Sequence, residues 1–136
     1  MILKNYQVRA ALRLVDRLLS TPLPFRAKLA VSKNKKALAE VAEVIETSTN
    51  DLLKSCAEVD EEGNFVHPTD ENGNLVQSQV TIAKDKIEQF NKKMVEINNE
   101  ETDVEITEVE VNDDVEAALS SLVDFDPTPI LWLFKE

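Results

Sequence analysis

Glycine is almost absent from the sequence, which has Gly63 and Gly73 as its only two among 136 residues. Loops that cradle phosphate, in both the P-loop and the dinucleotide-binding motifs, need several glycines at close spacing. The sequence therefore excludes both kinds of nucleotide site.

Cysteine and histidine are nearly as scarce, with Cys56 and His67 the single examples. A lone cysteine cannot form a disulfide within the chain, so nothing indicates secretion and we expect a cytoplasmic protein. A metal site or a nucleophile and base pair would have to rely on His67 alone. We therefore predict no catalytic, cofactor or metal site, no small-molecule substrate and no enzymatic activity.

Long apolar runs are missing as well. No segment reaches the roughly 18 apolar residues that a membrane-spanning helix needs, so we expect no contact with a membrane. The 43% hydrophobic content is still enough for a core in a chain of this length. We expect a single domain over residues 1–136.

Charge is abundant but unevenly distributed. Residues 1–36 carry nine Lys and Arg against one acid, whereas residues 57–136 carry five lysines against 21 acids. The basic part could meet nucleic acid or an acidic partner, or it could pack against the acidic part within the chain or across an oligomer. We favour the second interpretation over nucleic acid, because the acidic part would repel phosphate.

The first helix is predicted over Leu3–Leu19. Its apolar residues share one face at helical spacing: Val8, Ala11, Leu12, Val15, Leu18 and Leu19. Arg9, Arg13 and Arg17 recur every four residues on another face and could bind phosphates or carboxylates bidentately. A row of charges is, however, usually a solvated helix face.

A second, longer helix is predicted from Phe25 or Arg26 to Glu58, after prolines that end the first. Apolar residues recur along it every seven positions as a heptad seam: Val31, Leu38, Ile45, Leu52 and Val59. Residues 1–58 therefore form a basic-to-neutral helical hairpin, whose first helix is too short to cover the second. A turn-rich connector at 59–79 follows, in which EEGNFV and ENGNLV reverse the backbone twice.

The acidic part, residues 80–136, begins with a third helix. Its narrow apolar stripe can complete a bundle on helix two, within the chain or between copies, and consists of Val80, Ala83, Ile87, Phe90, Met94 and Ile97. Thr102–Val111 is rich in β-branched residues and is predicted as a strand with a bulge near Thr107 and Glu108. Its partner would be another copy of the strand, or one of two short segments, Asn64–Val66 and Asn74–Gln77.

Two short helices are predicted near the C-terminus. The first spans Val115–Leu122 behind a cap at Asn112 or Asp113, and the second has Thr128 as its cap and Pro129 as its first residue. Five consecutive large apolar residues then follow. They either dock on the protein's own core or anchor a partner.

The candidate partner-binding residues are those of the arginine row and the C-terminal aromatic pair: Arg9, Arg13, Arg17, Trp132 and Phe134. Trp is among the residues that contribute most at protein interfaces, and Phe is enriched there. The predicted fold is mainly α with a minor β part. It comprises a long helical hairpin, a third helix, a small β element near 102–111 and short C-terminal helices.

The order of these elements resembles small proteins of unknown function encoded by tailed bacteriophages and prophages of Gram-positive bacteria. The most telling residues are Leu3–Gln7, LKNYQ, and Phe90–Val111, FNKKMVEINNEETDVEITEVEV. The resemblance brings no active-site residues. It implies non-enzymatic work in a phage context, in the cytoplasm of an infected host cell or on the virion.

Two functions follow as hypotheses. The first is an assembly or structural accessory that oligomerises or docks on a larger phage component. The alternative is an inhibitor of a host defence or nucleic-acid-handling protein, which presents its acidic surface in place of phosphate. Direct nucleic-acid binding through the arginine row ranks below both.

Overall fold

The structure is a computed structural model that describes residues 1–135. Helices dominate and two short sheets add a minor β part, so the predicted fold class is confirmed. The chain packs as two compact units. Unit 1 comprises Met1–Val44 and the chain from Asn99 onward, and unit 2 comprises Ile45–Asn98.

Two long helices follow each other near the start of the chain, close to the predicted bounds. Helix α1 spans Asn5–Leu19 and helix α2 spans Phe25–Cys56. Helix α1 ends where the Thr21 hydroxyl donates a hydrogen bond of 2.7 Å to the Leu18 carbonyl. None of the helices within residues 1–135 has both the length and the apolar character that crossing a bilayer requires.

Unit 1 has a core to which many parts of the chain contribute. Its fully buried aliphatic side chains come from α1, the first half of α2 and the C-terminal segments: Val8, Val15, Leu18, Val31, Leu38, Val109, Val115, Ile130 and Leu133. Complete burial of one such side chain contributes about 1.5–3 kcal/mol. The first two seam positions of α2 therefore face this core, as the heptad pattern predicts.

Four short strands in unit 1 form two sheets of two strands each: β1 Ile2–Lys4, β2 Glu101–Asp103, β3 Val109–Glu110 and β4 Phe134–Lys135. Strands β1 and β2 are antiparallel with Leu3 opposite Thr102, whereas β3 and β4 are parallel with Val109 opposite Phe134. The partners predicted for the strand were therefore wrong. Segments near the two ends of the chain pair with it instead.

The predicted bulge near Thr107 is instead a break between β2 and β3. The cause is Asn34, which lies in the first half of α2 and is fully buried. Its Oδ1 accepts the Thr107 N–H at 2.7 Å, and its Nδ2 donates to the Thr107 carbonyl at 2.6 Å. One amide side chain therefore takes the place of a neighbouring strand, and it satisfies both backbone groups of Thr107.

Unit 2 contains the end of α2, two hairpins and all but the last residue of helix α3, Ile87–Asn99. The prediction that the third helix begins near Val80 was wrong. Ile82 instead forms an antiparallel bridge with Ala57, and the Ala83 N–H donates to the Cys56 carbonyl at 2.9 Å. This extended backbone holds the start of the third helix beside the last turn of α2.

The core of unit 2 is thin. Its buried residues all belong to the end of α2 and the position after it: Ile45, Leu52, Cys56 and Ala57. Helix α3, which the structure describes in full, contributes no buried residue. The last position of the predicted seam, Val59, lies beyond the helix and is 53% exposed.

Helix α4 spans Asp113–Ser120, and its predicted cap is confirmed because Asn112 Oδ1 accepts the Val115 N–H at 2.9 Å. A 3-10 segment follows over Thr128–Leu133. Thr128 is not its cap as predicted. Asp126 Oδ1 accepts the Thr128 N–H at 3.0 Å, so the carboxylate closes the first turn.

Candidate docking surfaces

The most C-terminal member of the predicted arginine row is engaged within unit 1. Arg17 Nη2 donates to the Val123 carbonyl at 2.6 Å, and its Nη1 donates to the Asp124 carbonyl at 3.1 Å. Its guanidinium carbon lies 5.4 Å from the centre of the Phe125 ring, within the range of a cation–π contact. Arg17 therefore ties the segment after α4 to α1.

The other two arginines have different surroundings. Arg9 is half-buried, whereas Arg13 is exposed. A bidentate clamp on a phosphate requires guanidinium groups that are free to converge on it. Since Arg17 already binds two carbonyls, the three arginines do not form one free surface.

The C-terminal apolar residues dock on the core of unit 1. Ile130 and Leu133 are both 0% exposed. Trp132 and Phe134, the predicted anchor, are half-buried. The Trp132 Nε1–H donates to the Pro129 carbonyl at 2.8 Å, while Phe134 belongs to β4. This segment is therefore a structural part of unit 1, with its two aromatic rings at the edge.

A surface on the first half of α2 was missed in the sequence. Phe25 is 77% exposed and Leu29 is 45% exposed, although both are large and apolar. We call this surface the basic face; it consists of Phe25, Leu29, Lys33 and Lys36, flanked by Arg26 and Lys28. The four central residues follow at steps of four, four and three and therefore share one side of the helix.

A signal for the basic face is present in the sequence. Phe25 and Leu29 lie outside the heptad seam and within a string that contains five Lys and Arg and no acid from residue 25 to 36. Lys35 is used inside unit 1, where its Nζ lies 2.8 Å from Asp16 Oδ1. Lys33 and Lys36 line an open cleft of about 410 Å³, which Glu40 and Glu105 also line.

The first glycine motif of unit 2 forms a tight hairpin turn. Asp60 Oδ1 accepts the N–H groups of Glu62 and Asn64, both at 2.9 Å. Gly63 has φ of +83°, a left-handed conformation that glycine adopts without strain. Beyond the turn, Val59 and Phe65 face each other in an antiparallel bridge.

The second glycine motif forms the same turn ten residues later. Asp70 Oδ1 accepts the N–H groups of Asn72 and Asn74, again both at 2.9 Å. Gly73 has φ of +80°, and Leu75 is bridged to Thr69. The doubled letters are thus two copies of one structure, and the predicted pair of reversals is confirmed.

Residues 58–76, which we call the tandem hairpins, combine acidic and apolar groups on their surface. They contain six exposed acids and no Lys or Arg: Glu58, Asp60, Glu61, Glu62, Asp70 and Glu71. Three large apolar side chains are exposed among them, with Val59 at 53%, Phe65 at 40% and Leu75 at 60%. Each hairpin therefore offers an apolar spot with carboxylates nearby.

The two residues that metal or nucleophilic chemistry would need, a histidine and a cysteine, have contacts or burial within the fold. His67 Nδ1 lies 2.6 Å from the Gln79 carbonyl oxygen, and Cys56 is buried. Among residues 1–135, no three His, Cys, Asp or Glu side chains are grouped so that they could hold a metal ion.

Comparison of the chain with protein-family models, with curated proteins and with solved structures gave no match.

Proposed function

We propose that this protein works through protein–protein contacts as a non-enzymatic assembly or structural accessory, which oligomerises or docks on a larger component. The observation that carries this proposal is the incomplete burial of α3. Ile87 is 45% exposed, and Phe90, Met94 and Ile97 are only half-buried. An amphipathic helix gains most of its stability by packing its apolar face, so this face is suited to a further partner.

The setting we propose is a bacteriophage, with the protein in the cytoplasm of an infected host cell or associated with the virion. The similarity of LKNYQ and of residues 90–111 to small phage proteins supports this setting. A protein of this kind would have a protein partner or further copies of itself, with no cofactor. Its acidic composition, with a net charge of −11, would keep separate molecules dispersed until specific contacts form.

The oligomeric form of the proposal is tested by mass determination with light scattering over a range of concentrations. We expect the unaltered protein to exceed the monomer mass and Phe90→Glu to return to it, since a carboxylate on the stripe cannot be buried unpaired. The matched control is Gln89→Glu, which adds the same charge at an exposed neighbouring position. A monomeric mass at every concentration would overturn the oligomeric form of the proposal. Equal oligomeric masses for both variants would exclude the α3 stripe as the contact.

A second candidate function, inhibition of a host nucleic-acid-handling protein, is favoured by the tandem hairpins. The Asp60–Glu61 pair of the first turn recurs as Asp70–Glu71 in the second turn, and these carboxylates could occupy a phosphate-binding groove. The test is competition with DNA for a purified nuclease of the host. Loss of competition in Glu61→Gln/Glu71→Gln is expected, and an absence of any competition by the unaltered protein would exclude this function for that nuclease.

A further inference from the structure

We infer that the basic face of one copy binds the tandem hairpins of a second copy, in a head-to-tail contact. The inference rests on the proposed function, because it takes self-association as the protein's work. It goes beyond that proposal by naming two surfaces that do not include α3. Every copy carries both surfaces. Each molecule can therefore bind one neighbour through its basic face and another through its tandem hairpins.

The first support is the exposure of large apolar groups on both surfaces. Phe25 and Leu29 stand on the basic face, while Val59, Phe65 and Leu75 stand on the tandem hairpins. Single exposed apolar residues are common, but here each group lies among charges of one sign. An apolar centre with a charged rim is the arrangement found in protein interfaces.

The second support is the opposite sign of the two surfaces. Residues 25–36 carry five Lys and Arg and no acid, whereas residues 58–76 carry six acids and no Lys or Arg. Such patches attract each other over about a Debye length and orient the approach of two molecules. A second copy is therefore an occupant whose chemistry is known and fits.

The third support is that the charges of both surfaces are available. The ion pairs between described residues join Lys35 to Asp16, Lys135 to Glu108 and the first residue to Asp103. Lys33 and Lys36 take part in none of these pairs, and neither do Glu61 and Glu71. Because Asp60 and Asp70 use a carboxylate oxygen within their turns, the flanking glutamates are the groups left for a partner.

The contact joins two different patches of the chain. Repeated from copy to copy it produces a closed ring or an open chain, and exchanged reciprocally between two copies it produces a symmetric pair. The basic face has a defined end, since Glu40 and Glu105 lie beside Lys33 and Lys36. Those two acids limit how far an acidic hairpin can slide along α2 and help to set the register.

Charge reversal on either surface tests the inference. The face variant is Lys33→Glu/Lys36→Glu, and the hairpin variant is Glu61→Lys/Glu71→Lys, which alters equivalent positions of the two turns. We expect each variant alone to weaken self-association at least about tenfold, because like charges then face each other. Mixing the two variants should restore association, since the reversed face meets the reversed hairpins.

Two control variants separate the effect of charge at the proposed contact from the effect of the net charge of the protein. Lys92→Glu/Lys93→Glu changes the net charge as the face variant does, and Glu88→Lys/Glu96→Lys changes it as the hairpin variant does, all at exposed positions of unit 2. Both controls should associate within about threefold of the unaltered protein at equal salt. Circular dichroism of every variant checks that the helices remain.

The outcomes distinguish this inference from the proposed function. An oligomer that Phe90→Glu disrupts but neither reversal affects would overturn the head-to-tail contact and leave the proposed function standing. An oligomer whose mass responds to the charge reversals and to mixing, but not to Phe90→Glu, would support the head-to-tail contact. The same result would exclude the apolar face of α3 as the site of self-association. If the face variant changes retention on DNA while the mass stays constant, the basic face serves nucleic acid and the inference is wrong.

Discussion

Units 1 and 2 share helix α2, yet they bury their residues to very different extents. In unit 1 this helix places Val31, Asn34 and Leu38 at zero exposure. In unit 2 the buried residues are limited to Ile45, Leu52, Cys56 and Ala57, and α3 adds none. The difference is due to the number of elements that meet at each place, because segments from both ends of the chain converge on unit 1.

The comparison teaches that a regular apolar pattern does not by itself measure burial. Helix α3 has the most regular stripe in the sequence, and it has no buried residue. The C-terminal segment has a continuous apolar run instead of a stripe, yet it contributes two fully buried side chains. A stripe shows which face of an element is suited to packing, whereas the rest of the fold decides whether anything covers it.

The largest expected effect concerns the core of unit 1. Leu133→Ala should lower the free energy of unfolding by about 3 kcal/mol, because it leaves a cavity at a fully buried site. Met94→Ala in α3 should cost only about 1 kcal/mol, since that side chain is already part-exposed. Urea unfolding measures both, with Trp132 fluorescence reporting on unit 1. Equal losses would contradict the contrast between the units.

A second test uses the same amide residue at two places in α2. Asn34→Ala should cost about 2 kcal/mol, since it leaves the N–H and C=O of Thr107 without their partner. Asn50→Ala is the control, because Asn50 is exposed and alanine favours the helix by a few tenths of a kcal/mol. A loss at Asn50 that matched the loss at Asn34 would show that the buried amide is not the cause, because the helix propensity of alanine alone predicts a small gain at both positions.

A third test concerns unit 2 alone. Gly63→Ala should cost about 1 kcal/mol through its positive φ, since the added methyl group would meet no neighbouring atom. Gly63→Asn should cost less, because asparagine tolerates this conformation. The measurement is amide hydrogen exchange of the hairpins beside that of α1. Equal acceleration of exchange in unit 1 would contradict the division of the chain into separate units.

The smallest effect is the titration of Asp126 at the start of the C-terminal 3-10 segment. The Thr128 hydroxyl at 2.5 Å and then the Thr128 N–H at 3.0 Å hold the pKa of this carboxyl below its ordinary value. A lowered pKa in the folded state contributes stability above the ordinary value, and this contribution is lost as pH falls through the lowered pKa. In Thr128→Val the pKa should rise toward its ordinary value, as carbon-detected NMR would measure; no change would exclude the hydroxyl as the main cause.

Local signals made the helices predictable. The prolines that end α1, the heptad seam of α2 and the Asn112 cap act within a few residues, so they are visible in the sequence. The start of α3 was misplaced because Val80 and Ala83 fit the helical spacing of the stripe, whereas the backbone between them is extended and Ile82 bridges to Ala57. The strand partners were wrong because pairing between distant segments leaves no local mark in the sequence: Leu3 pairs with Thr102, and Val109 pairs with Phe134.

The candidate surfaces were predictable only in part. Arg17 and Trp132 were recognised by residue type, but their carbonyl partners depend on tertiary structure. The burial of Asn34 was not expected, because its neighbours in SKNKK are charged and indicate a solvated helix face. Phe25 and Leu29 could have been noticed as apolar residues outside the seam. Their exposure, however, could be measured only in the structure.

The pairing of β1 with β2 and of β3 with β4 has a consequence for synthesis on the ribosome. Residues 2–4 find their partner only after residue 103 has been made, and residues 109–110 only after residue 135. Helices α1 and α2 must therefore wait, with the apolar sides of unit 1 uncovered, while the whole of unit 2 is translated between the two parts. Vectorial synthesis completes the tandem hairpins first, and the better-packed unit is the last to close.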